Sequence, residues 1–276
     1  MRVLGIVGPS HAGTTALVER LADRLAEEGR VGTIRHLASA PDTDADDVSG
    51  LRDSAPAAET TYGLADDGEW VAAGEATSLD DALAALAPDH DYALVEGFAD
   101  ADLPKITLGS RDHVGEALVE APDADAVDAE SVVEALAATE PFETLESLVA
   151  RVKESPRADR SGAIATFTGR VRAKDGPDDE PTEYLEFEKY EGVAEKRMAA
   201  LETDLESREG VLDVELYHRT GVVADGEDIV FVVVLAGHRG EAFRTVEDGI
   251  NRLKDEVPLF KKEVTVEDEF WVHEQS

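Results

Sequence analysis

The stretch IVFVVVLAGHRGEAFRTVEDGINRLKDEVPLFKKE, residues 229–263, decides how this chain folds. Its first eight residues are apolar on both faces of a strand, which predicts a strand at the centre of a sheet rather than at a solvated edge. The run stops at Gly237-His238-Arg239-Gly240. Phe243, Val246, Ile250 and Leu253 then recur at spacings of three, four and three, the period of a helix. A His-Arg pair where a strand ends and a helix begins is well placed for an anion, because the free N–H groups and the helix dipole point the same way. Capping the helix or meeting a neighbouring carboxylate would occupy the same two side chains. The helix ends near Lys254, Pro258 breaks the chain, and residues 260–263 open a last strand. Three of the eight lysines, Lys254, Lys261 and Lys262, therefore fall within nine residues. A helix C-terminus favours cations, which accounts for Lys254 but poorly for Lys261. A lysine with apolar neighbours and a second cation nearby gives up its proton more readily, and so suits proton transfer or nucleophilic attack.

Working back toward the N-terminus, GAIATFTGRVR (residues 162–172) alternates as a strand does. Ala163, Ala165, Phe167 and Val171 share one face, and Arg170 and Arg172 emerge on the other. Two arginines side by side read either as an anion site or as a salt-bridged surface strand. Residues 184–187 give another strand. After the turn at residues 190–192, Ala194, Met198, Leu201 and Leu205 mark an amphipathic helix, and residues 214–218 a further strand. TFTGRVR (166–172), the E-x-Y-x-G element around Tyr190, His218-Arg-Thr-Gly221, AGHRGEAF (236–243), RLKDEVPLFKKE (252–263) and the closing Trp271-Val272 follow in order. This set resembles the large, catalytic subunit of molybdopterin synthase over about residues 139–276. The resemblance implies an α/β hammerhead fold and a sulfur-transfer reaction that makes molybdopterin from cyclic pyranopterin monophosphate. It implies a homodimer, and as partner a small ubiquitin-like sulfur carrier with a C-terminal thiocarboxylate. Lys254 and Lys261 fall on the family's catalytic lysines. Arg170, Val171, Arg172, His238, Arg239, Lys261, Lys262 and Glu263 fall on its substrate-binding segments. No metal and no cofactor is required for that transfer. The cationic members of the set are expected to converge into one basic pocket.

The first half starts with an apolar run at residues 2–7 that stops at Gly8-Pro-Ser-His-Ala-Gly13-Thr14-Thr15. Leu17, Val18, Leu21 and Leu25 then follow at helical spacing, and residues 31–36 form a second strand. This is the context of a phosphate-binding loop, and the segment fits that pattern at every place except its lysine, where Thr14 stands. Gly8, Gly13, Thr14 and Thr15 are the candidate nucleotide contacts. Glu96, closing the buried strand of residues 91–95, is the candidate partner of a magnesium ion. No nearby lysine stands in, the only one in this half being Lys105. The loop, Thr33-Ile-Arg-His36, LVEGF (94–98) and LPKI (103–106) resemble the GTP-binding adaptor of molybdopterin-guanine dinucleotide biosynthesis over about residues 1–110, with its middle segment loosely kept in residues 42–52. That implies a P-loop-type doubly wound sheet, with GTP and Mg²⁺ as its ligands. Two rival readings arise here: a GTP-binding adaptor whose second domain is a non-catalytic docking platform, and a small-molecule kinase. Thr14 in place of lysine argues against the kinase.

Composition bounds the rest. The chain has 276 residues and 42% hydrophobic content, enough for two cored domains. Its 26 Lys+Arg against 62 Asp+Glu give a net charge of −36. Such a surface repels phosphate backbones, which excludes nucleic acid as a main partner, and it suits concentrated salt. Residues 1–150 hold 8 basic and 32 acidic residues, so the cations are concentrated in the second half. The acidic, Ala-rich segment 121–140 reads as a linker that merges into a short helix, between a domain at 1–120 and one at 141–276. The absence of cysteine, signal peptide and long apolar stretch predicts a soluble, cytoplasmic protein with no membrane partner.

Overall fold

The computed structural model describes residues 1–9, 12–37, 60–74, 77–174, 176, 181–189, 192–265 and 269–272. Ser10, His11, the segment 42–52, Tyr190 and Glu191 lie outside them. The chain divides into two units, Met1–Phe142 and Glu143–Ser276.

In the first unit, β1 (Arg2–Val7), β2 (Val31–Arg35), β5 (Tyr92–Glu96), β6 (Lys105–Leu108) and β7 (Ala117–Ala121) form a parallel sheet in the order β2-β5-β1-β6-β7. The apolar runs forecast at residues 2–7 and 91–95 are two of its three interior strands, buried on both faces as a parallel sheet requires. Helices α1 (Thr14–Leu25) and α3 (Ala129–Ala137) pack on the face of Leu4, Ile6, Leu94 and Ile106. Helix α2 (Leu79–Leu86) packs on the face of Val3, Ala93 and Val95, so the sheet is doubly wound. The strands β3 (Thr60–Leu64) and β4 (Trp70–Gly74) form a separate hairpin.

Residues 121–140 are not a linker. They carry the end of β7, a short 3₁₀ turn and α3, and they bury Ala124, Val127, Val132 and Leu136 in the first unit's core. Arg20 donates to the carbonyls of Ala124 at 2.7 Å and Val127 at 3.0 Å, fastening the segment to α1. Its acidic residues only cover the outward face of a packed element.

The α/β hammerhead expected of the second unit takes the form of two sheets. One has the order β10-β12-β8, from β8 (Ala163–Arg170), β10 (Val211–His218) and β12 (Asp228–Ala236). Strand β12, the apolar run of residues 229–236, is central and buried from Val230 onward. Helices α5 (Ala194–Glu206) and α6 (Arg239–Glu256) cover one face, and α4 (Leu145–Lys153) the other. The second sheet has the order β11-β9-β13-β14, from β9 (Thr182–Lys189), β11 (Gly221–Ala224), β13 (Leu259–Thr265) and β14 (Glu269–Val272). Helix α6 departs from the sequence expectation at one position, Phe243, whose place in the core Ala242 takes. Ala242, Val246, Ile250 and Leu253 face the core, and Phe243 is 66% exposed. Gly249 fits against β12, since a Cβ there would lie 3.1 Å from the Val232 side chain.

Candidate active site

The basic residues of the second unit are placed by two antiparallel registers. Along β8 and β12, Arg170 is opposite Asp228, and its Nε lies 3.0 Å from the Asp228 carboxylate. The same guanidinium donates to the Gly226 carbonyl. Arg170 is thus the salt-bridged strand end. Val171 turns inward, joining Leu185, Phe187 and Val223 in a small apolar cluster, and Arg172 follows in an exposed position.

Along β9 and β13, Lys261 is opposite Phe187 and Glu263 opposite Leu185. Residues directly opposite in an antiparallel pair share a face, so Lys261 and Glu263 lie on the side of that apolar cluster. Lys261 is half-buried there, with no ion pair among the described residues, and Glu263 accepts from the Thr182 hydroxyl at 2.5 Å. His218, buried, sets its ring edge-on against Phe187 at 4.8 Å. Lys262 points to the opposite face, where its ammonium is 3.4 Å from Glu186. Three neighbouring positions therefore have different surroundings, and only Lys261 combines partial burial, an apolar neighbour and no carboxylate partner.

Lys254 sits exposed in the last turn of α6. That helix runs back along β12: Glu241 lies against Gly210, beside the end of β12, and Gly249 lies against Val232 at its middle. Five residues further on, about 7.5 Å along the helix, Lys254 lies past the middle of β12, on the side of its Asp228 end. His238 is the extended residue before the helix and makes no side-chain cap; it and Arg239 are exposed at the Ala236 end, with no ion pair among the described residues. Eight strand steps separate Asp228 from Ala236, about 26 Å. The expected single pocket is therefore divided. Arg170, Val171, Arg172, Lys254, Lys261 and Glu263 gather at one end, and His238 and Arg239 stand at the other. The cause is the length of β12 and the return of α6.

In the first unit, Gly13 adopts φ +80°, the left-handed conformation that starts α1, and Gly8 packs so closely that a Cβ would lie 2.8 Å from Leu108. Thr14 and Thr15 both donate to one oxygen of Glu96, at 2.8 and 2.7 Å, and Arg35 donates to the other at 2.7 Å. Burial alone would raise the Glu96 pKa, but the two hydroxyls and the guanidinium together hold it below the usual carboxylate range. Arg35 and Arg111, which donates to the Gly8 carbonyl at 3.1 Å, are contacts that motif reading passes over. Arg35 closes β2, the strand paired with β5, which Glu96 closes. Lys105 is fully buried and donates to the carbonyls of Val114, at 2.7 Å, and Ala101; burial pushes its pKa down.

Residues 137–256 match the family described as MoaE protein, and residues 3–130 the family described as molybdopterin guanine dinucleotide synthesis protein B. A protein of Haloferax volcanii described as "Probable molybdopterin synthase" is 52% identical over 275 residues, covering 100% of both chains. The chain belongs to this molybdopterin synthase family. Among solved structures, molybdopterin synthase from Staphylococcus aureus is 30% identical, covering 49% of this chain and 93% of its own, with a TM-score of 0.43. A MobB protein homologue from Bacillus stearothermophilus is 22% identical, covering 50% of this chain and 100% of its own, with a TM-score of 0.37. In this member of the molybdopterin synthase family the MoaE-type half carries the divided basic site, and the MobB-type half carries Thr14 and Thr15 bonded to Glu96. No helix among the described residues is long and apolar enough to cross a membrane.

Proposed function

We propose that the chain is a molybdopterin synthase of the cytoplasm that moves sulfur from a thiocarboxylated, ubiquitin-like carrier onto cyclic pyranopterin monophosphate. The observation that carries this reading is Lys261, half-buried beside Phe187 on the apolar side of its sheet and in no ion pair among the described residues. Opening the cyclic phosphate and replacing oxygen by sulfur need protons moved and developing negative charge held. An amine in that setting does both. Lys254, at the same end of α6, is the second such group, and Arg172 the nearby anion contact. The carrier brings the sulfur, so the chain's lack of cysteine is no obstacle.

His238 and Arg239 enter this chemistry through a second copy of the chain. A phosphate-bearing pterin is far shorter than the roughly 26 Å that separates the two ends within one copy. A two-fold dimer that brings the Ala236 end of one protomer to the Asp228 end of its partner builds two complete pockets at once.

The test combines the purified chain in molar KCl with thiocarboxylated carrier and cyclic pyranopterin monophosphate, and measures the dithiolene formed. No product from the wild type overturns the proposal. Lys261→Ala is expected to lower the rate more than about 100-fold, close to 3 kcal/mol, the scale for one positioned charge in a closed site. Full activity of that variant removes the role given to the lysine.

A further inference from the structure

We propose that the phosphate-loop motif of the first unit is closed by its own side chains, as a structural latch, and that this unit binds no magnesium–nucleotide. Three features of the residues present do not fit the GTP and Mg²⁺ that the MobB-type sequence implies.

The charge that should meet the outer phosphates is missing. Thr14 stands at the lysine position, and its hydroxyl is spent on Glu96. The unit's one lysine, Lys105, is fully buried and tied to backbone carbonyls, so it cannot be recruited.

The carboxylate that should serve a magnesium ion is already saturated. Glu96 is 11% exposed at its side chain and takes both threonine hydroxyls on one oxygen and Arg35 on the other. A guanidinium 2.7 Å away neutralises the charge that would attract a divalent cation, and it would have to leave before the cation could approach.

The surrounding field is also unfavourable. Met1–Phe142 holds 8 basic residues against 30 acidic ones, and beside the loop the exposed Arg111 donates to the Gly8 carbonyl. A single exposed arginine in such a field does not replace a lysine fixed at the phosphates.

What the network does instead follows from its members. Thr14 and Thr15 open α1, Arg35 closes β2 and Glu96 closes β5. The carboxylate joins three elements at the C-terminal edge of the sheet, where a nucleotide-binding relative would hold phosphate and metal.

The experiment uses the full chain in molar KCl. Titration calorimetry with MgGTP and with MgATP is expected to give no binding heat up to about millimolar ligand, and no rise in unfolding temperature. Glu96→Gln and Thr14→Val are each expected to lower that temperature by about 3–6 °C, as loss of buried, charge-assisted hydrogen bonds does in a domain this size. A Glu96→Gln chain that fails to fold agrees with the latch, and Thr14→Val, the milder change, then supplies the measured shift. Binding of either nucleotide to the wild type with Kd below about 100 µM overturns the proposal. So does an unchanged unfolding temperature in both variants.

Discussion

Mixing two crippled variants tests the divided site directly. Lys261→Ala removes the amine at the Asp228 end of the three-stranded sheet, and Arg239→Ala removes the guanidinium at the Ala236 end, about 26 Å away along β12. Each homodimer then carries the same lesion in both pockets. Lys261→Ala should fall to about a hundredth of wild-type activity, and Arg239→Ala to about a tenth or less. After dissociation and random re-association, about half the dimers are mixed. In each mixed dimer one pocket receives both lesions and the other receives none. One intact pocket in two, in half the dimers, restores about a quarter of wild-type activity, well above either parent. The readout is dithiolene formation after subunit exchange, with exchange verified by co-purification on a tag carried by one variant only. A mixture of Lys254→Ala and Lys261→Ala is the control. Those residues share one end, so every pocket keeps a lesion and activity stays low. Verified exchange of the first pair without recovery would refute the two-copy pocket, and would return His238 and Arg239 to the surface roles the sequence left open.

Two further outcomes concern stability. Leu136→Ala, in the segment whose composition suggested a linker, should destabilise the first unit by about 2–5 kcal/mol in denaturant titration, and a cost near zero would contradict its place in the core. Burial, with Glu215 and Glu206 adding to it, pushes the Glu202 carboxyl up to about 7, although its oxygen accepts the Leu216 N–H at 2.8 Å. The folded chain therefore holds a proton that the unfolded chain releases, so stability should decline from about pH 5 to pH 7 and level off above, by up to about 3 kcal/mol. Glu202→Gln should flatten that decline, and equal pH slopes for variant and wild type would remove the explanation.

Much of the fold was legible because it depends on local patterns. The two-sided apolar runs that became β1, β5 and β12 are buried strands, and Leu17, Val18, Leu21 and Leu25 are the buried face of α1. Acidity misled the reading at residues 121–140, because in a chain of net charge −36 every solvated surface is acidic and local charge no longer distinguishes a linker from a helix. The spacing of Val132 and Leu136 was the better guide, since both are buried in α3. The latch on Glu96 is tertiary: it needs β2 beside β5, and no spacing in the sequence gives that adjacency.

The site was misjudged for a geometric reason that the sequence did contain. His238, Arg239, Lys254 and Lys261 are close in number and alike in charge, which invites a single pocket. A helix predicted between His238 and Lys254, however, is itself a spacer. Sixteen residues at 1.5 Å each set its two ends about 24 Å apart, whatever the rest of the fold does. Cations at opposite ends of one straight helix cannot grip one small anion in the same chain. If all of them serve one substrate, the symmetry of a dimer has to bring the two ends together, and family likeness at each residue gives the roles without telling which copy supplies them.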